Sequence, residues 1–330
     1  MKKLYPFFVA LFLSFQIQAQ DTFSIIAVDP TTGEIGSAGA SCVTGVGANG
    51  IIDIITKIIP GRGGVNSQAY VCIPNVNLNN AIAQMELGSS PSEIIDWLYN
   101  NDACGSQNFN PEYRQYGIAD FDENGDPRTA GFSGVSTDDY KEDRQGATFS
   151  IQGNILLDVS VIDNMEANFN NTTGTLADKL MAAMQGANFA GADSRCLAAG
   201  TSSTTAYLLV YRPTDDPADP YIRLNVGQQA SGIEPIDLLQ GLYDQFLLVE
   251  GVPLQEMLSL VPNPVSNTLR IKKDPSINLI DYQIMDVSGK VVLSNTFSSD
   301  SLDVSALPQG MYFIKLRASQ GTTRLKFVKK

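Results

Sequence analysis

Histidine is absent from all 330 residues. That absence removes the Ser-His-Asp and Cys-His mechanisms, the HExxH zinc sites and any switch that titrates an imidazole. A hydrolase built on this chain must take its general base from an α-amine, a lysine or a carboxylate. The four cysteines, Cys42, Cys72, Cys104 and Cys196, include no CxxC pair, which disfavours zinc. Basic charge is scarce: 22 Lys and Arg stand against 35 Asp and Glu, for a formal net charge of −13. The first 20 residues contribute +2 and residues 261–330 contribute +5, leaving −20 on residues 21–260. A body that acidic repels phosphate backbones, which argues against nucleic acid as a partner. After the first 20 residues no segment approaches 18 unbroken apolar residues, so no transmembrane segment is expected once the leader is gone.

That leader is the first feature present. Lys2 and Lys3 precede an apolar run from Leu4 to Phe15, and Gln16-Ile17-Gln18-Ala19-Gln20 follows. The run is too short to span a bilayer and ends in small and polar residues, so residues 1–20 read as a signal peptide cut after Ala19 or Gln20. An even number of cysteines in an exported chain argues for disulfides. Of three connectivities, Cys42 with Cys72 is preferred, because they end two strands expected to be sheet neighbours; Cys104 with Cys196 follows by exclusion.

The chain then organises around Thr22–Ser41. Thr22, Ser24, Ile26 and Val28 alternate with Phe23, Ile25 and Ala27, the pattern of a buried strand. Asp29-Pro30-Thr31-Thr32-Gly33 supplies a turn. The second strand is mostly Gly, Ala and Ser, so another backbone is expected to approach it closely. Strands are also expected over Ile51–Pro60, Val65–Cys72, Tyr113–Phe121, Thr129–Ser133, Ala147–Ile151 and Ala206–Tyr211. Helices are expected over Leu78–Leu87, Pro91–Tyr99, Leu156–Phe169, Leu176–Met184 and Pro235–Leu248. Ser90, Pro91 and Glu93 form the start signal of the second helix, with a capping box. Hairpins alternating with helix pairs suit an α+β body of antiparallel sheets covered by helices.

A collinear series of segments carries a family resemblance: Thr22-Phe23-Ser24-Ile25, Gly64-Val65-Asn66-Ser67-Gln68-Ala69, Tyr113-Arg114-Gln115-Tyr116-Gly117-Ile118, Gln152-Gly153-Asn154-Ile155-Leu156, Gly191-Ala192-Asp193-Ser194-Arg195 and Glu234-Pro235-Ile236. Over residues 22 to about 250 the chain resembles the secreted Ntn-hydrolase-like family known as domain of unknown function 1028. The resemblance implies a four-layer αββα fold and brings no known substrate. Thr22 stands where relatives without a leader expose a Thr by removal of Met. A terminal Thr can attack a carbonyl while its own α-amine, with an ordinary pKa of roughly 7.7–8.0, accepts the proton. Signal cleavage here leaves Asp21, or Gln20-Asp21, ahead of Thr22, and an acylated amine is no base.

Thr22, Ser41, Asn154 and Asp193 are therefore the candidate catalytic residues, with Asn154 as an amide donor to an oxyanion. Gln68, Arg114, Gln115 and Arg195 are the candidate substrate-binding residues, the arginines suited to a carboxylate. The competing function is a non-catalytic binding module for an envelope or other small-molecule or peptide ligand, since a fold does not establish an activity. No cofactor and no metal is expected. Asp120-Phe121-Asp122-Glu123-Asn124-Gly125-Asp126 begins like a calcium loop, but Gly131 stands where the bidentate Glu belongs and strands flank it, so a hairpin turn is the better reading.

From Leu258 the composition turns basic. Short strands are expected over Thr268–Ile271, Tyr282–Asp286, Val291–Ser294, Leu302–Val304, Met311–Leu316 and Thr323–Val328, as in a small β-sandwich. Pro262-Asn263-Pro264, Asp286 with Gly289-Lys290, Leu307 with Gly310-Met311-Tyr312, and the terminal Lys326-Phe327-Val328-Lys329-Lys330 closely resemble the type A sorting domain of the type IX secretion system. The resemblance implies export through the periplasm to the cell surface or medium, with the type IX machinery as partner. The expected domains are thus a leader (1–20), a body (21–257) and a sorting domain (258–330).

Overall fold

The opening hairpin forms as its pattern requires. In the computed structural model, β1 (Phe23–Val28) and β2 (Ile35–Ser41) pair antiparallel from Phe23 opposite Ala40 to Val28 opposite Ile35. The structure describes residues 22–250, 254, 257–275, 277–297, 299–318 and 321–330; the expected leader and Asp21 lie outside these described residues. Beyond the hairpin the order is α1 (Ile52–Ile55), β3 (Thr56–Ile59), β4 (Gly63–Gln68), α2 (Val76–Glu86), α3 (Pro91–Asn100), β5 (Gln115–Phe121), β6 (Pro127–Ser133), β7 (Glu142–Gln145) and β8 (Phe149–Gly153). Then come α4 (Ser160–Asn171), α5 (Leu176–Gly186), β9 (Thr205–Tyr211), β10 (Ile222–Val226) and α6 (Pro235–Glu250). The chain forms two compact units that divide after Gln240, inside α6.

In the first unit a six-stranded antiparallel sheet runs β10-β9-β2-β1-β8-β7, and a four-stranded one runs β3-β4-β5-β6. Strands β1 and β8 of the larger sheet lie against β4 and β5 of the smaller. Helices α4 and α5 cover the other face of the larger sheet, and α2 and α3 the other face of the smaller. Strand alternation divides the side chains accordingly. Ala27 pairs with Phe149, whose ring meets Phe169 of α4 at 4.9 Å, so this parity faces the helices. Ser24, Ile26 and Val28 face the smaller sheet. The small residues of β2 admit α5: a Cβ at Gly36 would lie 2.5 Å from Leu180 Cδ1. On the smaller sheet Val65, Tyr116 and Ile118 pack with Leu78, Ala81 and Met85 of α2 and Ile94 and Leu98 of α3.

The second unit holds β11 (Leu258–Val261), β12 (Thr268–Lys273), β13 (Leu279–Asp286), β14 (Val291–Thr296), β15 (Ser301–Asp303), β16 (Gly310–Ala318) and β17 (Gly321–Lys329). Its sheets run β11-β12-β15 and β14-β13-β16-β17 around a core that includes Leu269, Ile284, Ile314, Leu316 and Phe327.

Three expectations need correction. The apolar run at Ile51–Pro60 is a helical turn, α1, followed by the short β3, because a continuous β-branched run does not by itself separate strand from buried helix. The fourth helix starts at Ser160 and not Leu156, since Leu156 bridges to Asp193 and Asp158 Oδ1 takes the Ser160 N–H at 2.8 Å. The disulfides are Cys42–Cys196 and Cys72–Cys104, not Cys42–Cys72 and Cys104–Cys196. The pairing argument fails at its premise: β2 lies between β1 and β9, whereas β4 belongs to the other sheet. Cys42 therefore meets the turn just before β9, and Cys72 the loop leading into β5.

Candidate functional site

Thr22 precedes β1, whose first residue pairs with Ala40 of β2 on one side and Gly153 of β8 on the other. The next step of both registers sets Thr22 between Ser41 and Asn154. The Thr22 N–H donates to Asn154 Oδ1 at 3.3 Å, and the Asn154 N–H returns a bond to the Thr22 carbonyl at 3.2 Å. Gln68 Nε2 also donates to that carbonyl, at 2.8 Å from the opposite sheet. Thr22, Ser41, Gln68, Gln115, Asn154 and Asp193 are all fully buried. The structure thus brings Thr22, Ser41, Asn154 and Gln68 together at one end of the sheets.

Behind Thr22 lies a network of side-chain amides and hydroxyls. Ser24 Oγ accepts from Asn66 Nδ2 at 3.1 Å and Gln152 Nε2 at 2.5 Å, and donates to Gln68 Oε1 at 2.6 Å. Gln68 Nε2 reaches Gln115 Oε1 at 2.7 Å, and Gln115 Nε2 bonds the Gly153 carbonyl at 2.8 Å. Ser37 Oγ donates to Asn66 Oδ1 at 2.9 Å and lies 2.8 Å from the Tyr207 hydroxyl. Burial pushes the Tyr207 phenol well above its usual range, so it stays a neutral hydrogen-bonding group. A Cβ at Gly117 would come within 1.8 Å of Gln152 Oε1, so only glycine there leaves room for that amide. Ser24, Asn66 and Gln152 join the site beyond the sequence candidates, and their signal in the sequence is the inward parity of polar residues on β1, β4 and β8.

Asp193 reaches the same end through the chain that follows Ser41. Its Oδ2 accepts the Cys42 N–H at 2.8 Å and Arg195 Nη2 at 2.6 Å, while Oδ1 accepts Arg195 Nε at 2.9 Å. It also caps the 3-10 turn Ser194–Ala199 that carries Cys196. Asp193 with Arg195 is thus a neutralised pair anchoring a loop. Arg114 departs from its expected role for a plain reason of donor count. Nε bonds Asp102 at 2.8 Å, Nη1 bonds the Tyr70 carbonyl and Ser106 Oγ, and Nη2 bonds the Cys104 and Ser106 carbonyls. All five N–H groups are committed inside the protein, so Arg114 organises the Cys72–Cys104 loop and has no donor left for a substrate carboxylate.

Backbone strain gathers at this end. Among the described residues, the non-glycine positions with positive φ are Ala69 and Tyr70 (59° and 46°), Gln107, Asn108 and Phe109 (53°, 61° and 58°) and Ile155 (52°). Ala69 directly follows Gln68, Ile155 directly follows Asn154, and Gln107–Phe109 lie in the loop gripped by Arg114. Such conformations cost roughly 1–3 kcal/mol each and tend to collect at functional sites. The Asp122 segment is a turn: Asp122 Oδ1 accepts the N–H groups of Asn124 and Asp126 at 2.8 and 2.9 Å. A cleft of about 220 Å³ lies elsewhere, at the far end of β1 between the hairpin turn and Phe169, Leu176 and Lys179.

Both parts of the chain match known protein families. Residues 22–236 match the family of unknown function DUF1028, and residues 259–330 match the secretion system C-terminal sorting domain. No curated protein matches the chain. Among solved structures, protein SPO2555 from Silicibacter pomeroyi, described as a DUF1028 protein, is similar over 68% of this chain and 88% of its own, with 27% identity and a TM-score of 0.53. PorZ, described as a surface component of the type IX secretion system of Porphyromonas gingivalis, aligns over 38% of this chain and 21% of its own, with 9% identity and a TM-score of 0.21. At that score the likeness carries no argument. No helix among the described residues is long and apolar enough to cross a membrane. The sorting domain links the protein to the type IX secretion system and directs it to the cell surface or beyond. With its body matched almost from end to end, the chain belongs to the DUF1028 family.

Proposed function

We propose that the body is a four-layer αββα fold of the Ntn-hydrolase type, and that its Thr22 end hydrolyses an amide bond in a peptide or envelope-derived compound after export. One observation carries this reading: the Thr22 nitrogen sits 3.3 Å from Asn154 Oδ1 while two donors fix its carbonyl. In the reaction, Thr22 Oγ1 attacks the substrate carbonyl and its proton passes to the α-amine. The side-chain amide of Asn154 donates to the oxyanion. The α-ammonium then protonates the departing amine, leaving an ester on Thr22 that water hydrolyses with the amine again as base. Gln68 holds the nucleophile's own carbonyl, and Gln115 supports Gln68; both therefore position Thr22 and do not touch substrate. Activity should rise with pH through about 7.7–8.0 as the amine loses its proton.

The mechanism needs the Asp21–Thr22 bond cut, following removal of a signal peptide over residues 1–20. A second reading, a non-catalytic binding module on the same fold, is favoured by Asp21 itself: with that residue retained, the Thr22 nitrogen is an amide and no base. Intact mass and N-terminal sequencing of the secreted protein separate the two. A Thr22 start, with amidase activity lost in Thr22→Ala and the melting temperature nearly unchanged, is the expected result for the enzyme. A start at Gln20 or Asp21, with no hydrolysis across an amide library, leaves the binding module standing.

A further inference from the structure

The sorting domain has one sheet edge that is covered for half its length. Strands β16 and β17 pair in unbroken register, from Gly310 opposite Lys329 to Ala318 opposite Gly321. On β17 the backbone groups of alternate residues face away from β16, and the bonds they make identify which. Asn263 Nδ2 donates to the Lys326 carbonyl at 3.0 Å and Asn263 Oδ1 accepts the Val328 N–H at 2.9 Å. The Val265 N–H bonds the Val328 carbonyl, and the Lys330 N–H bonds the Val265 carbonyl, each at 2.8 Å. Even-numbered residues therefore face outward. The segment Asn263–Val265 covers them from Lys326 onward, the asparagine amide standing in for a strand. By the same parity the N–H and C=O of Thr322 and Arg324 also point outward, and among the described residues no group bonds them.

The unmatched charge beside this open stretch is basic. Arg324 lies directly opposite Lys315 on β16, a like-charge cross-strand pair that costs stability. Neither forms an ion pair among the described residues; the neighbouring Arg317 is matched by Asp281. Lys326, exposed, continues the strip on the same face.

We propose that the open half of β17, Thr322–Leu325, is a docking edge that takes an extended, acidic segment of the secretion machinery as an added strand. The partner's backbone would supply the bonds that Thr322 and Arg324 lack, and its carboxylates would relieve the Lys315–Arg324 repulsion. Asn263–Val265 would set where the added strand must stop.

The edge geometry gives a selective test in the full-length protein in its native host. Arg324→Pro removes an outward N–H and leaves the β16 ladder intact, because proline is tolerated on an edge whose N–H faces solvent. Leu325→Pro, whose N–H faces β16, is the control that breaks the domain. The expected result for Arg324→Pro is a folded protein, with a melting temperature close to that of the unmodified chain, retained in the periplasm. Should Arg324→Pro misfold, the double reversal Lys315→Glu/Arg324→Glu keeps every backbone group and should be retained likewise. A photo-crosslinking residue at position 324 should capture a component of the secretion machinery, and one at Val292 on β14 should not. Normal export of the folded proline variant or of the double reversal would overturn the proposal, as would crosslinking at 324 only to a second copy of this chain.

Discussion

The layer between the two sheets of the body is filled by two different chemistries. Toward the hairpin turn, Ile26, Val28 and Ile35 meet Ala119 and Phe121, an apolar contact that gains from area and is indifferent to direction. Toward Thr22, Ser24, Gln68, Gln115 and Gln152 meet through directional hydrogen bonds between side-chain amides and a hydroxyl. The same strands supply both: β5 presents Gln115, Gly117, Ala119 and Phe121 inward in that order. A buried polar network that is fully satisfied adds little net stability but admits one arrangement only, whereas apolar side chains tolerate several. One end of the layer therefore holds the sheets together and the other fixes where Thr22 lies.

Substitutions at each end can break or sharpen that contrast. Both disulfides lie toward Thr22, and the larger loss should follow Cys42→Ser/Cys196→Ser. The model in which a crosslink limits the unfolded chain gives roughly 5 kcal/mol for a separation of 154 residues and nearer 3–4 kcal/mol for the 32 residues between Cys72 and Cys104. Denaturant titration of the two variants reads the order directly; a reversed order would mean that local strain, not chain length, governs this end. Arg114→Met should cost about 3–5 kcal/mol, because it leaves the buried Asp102 carboxylate without its ion pair. Adding Asp102→Leu should recover part of that loss, and a double variant as unstable as the sum of its parts would reject the coupling.

Within the layer itself, Ile26→Ala should cost about 2–4 kcal/mol as a cavity. Gln68→Leu should cost about 2–3 kcal/mol by stranding Ser24, Gln115 and the Thr22 carbonyl. The two should differ in kind. Gln68→Leu should speed amide hydrogen exchange at Asn154, whose N–H bonds the Thr22 carbonyl, and Ile26→Ala should leave that exchange nearly as it was; equal effects would erase the distinction between the ends. The smallest change, about 1 kcal/mol, is expected for Ser90→Ala at the capping box of α3, which touches neither end and calibrates the series.

What the sequence disclosed follows from how local each feature is. The first hairpin and the start of α3 are written in consecutive residues, and both form as read. The sorting strands were legible from their regular spacing, although β11 was not. Strand β7 has no local signal, because Glu142–Gln145 holds no apolar residue and forms only by pairing along β8. Strand β10 does carry one, Ile222, Leu224 and Val226 alternating with Arg223 and Asn225, but over only five residues, and its place is set by pairing along β9. The cysteine partners depended on which sheet each strand joins, a property of distant pairing such as β2 with β9 that no local pattern carries. Thr22, Asn154 and Gln68 could be nominated from shared motif segments. That Gln68 grips the Thr22 carbonyl, and that Arg114 has no donor to spare, required knowing what lies opposite each side chain.

Gly117 has a mechanical meaning as well. Its missing side chain is the slot into which the Gln152 amide fits, and the inward neighbours two residues away on the same strand are Gln115 and Ala119. A slide of β5 by one residue would turn its inward side chains outward, and a slide by two would drive a Cβ into the amide. The slot and the amide thus act as a notch and pin between two stacked plates, resisting shear along the strands where an oily contact alone would let them creep.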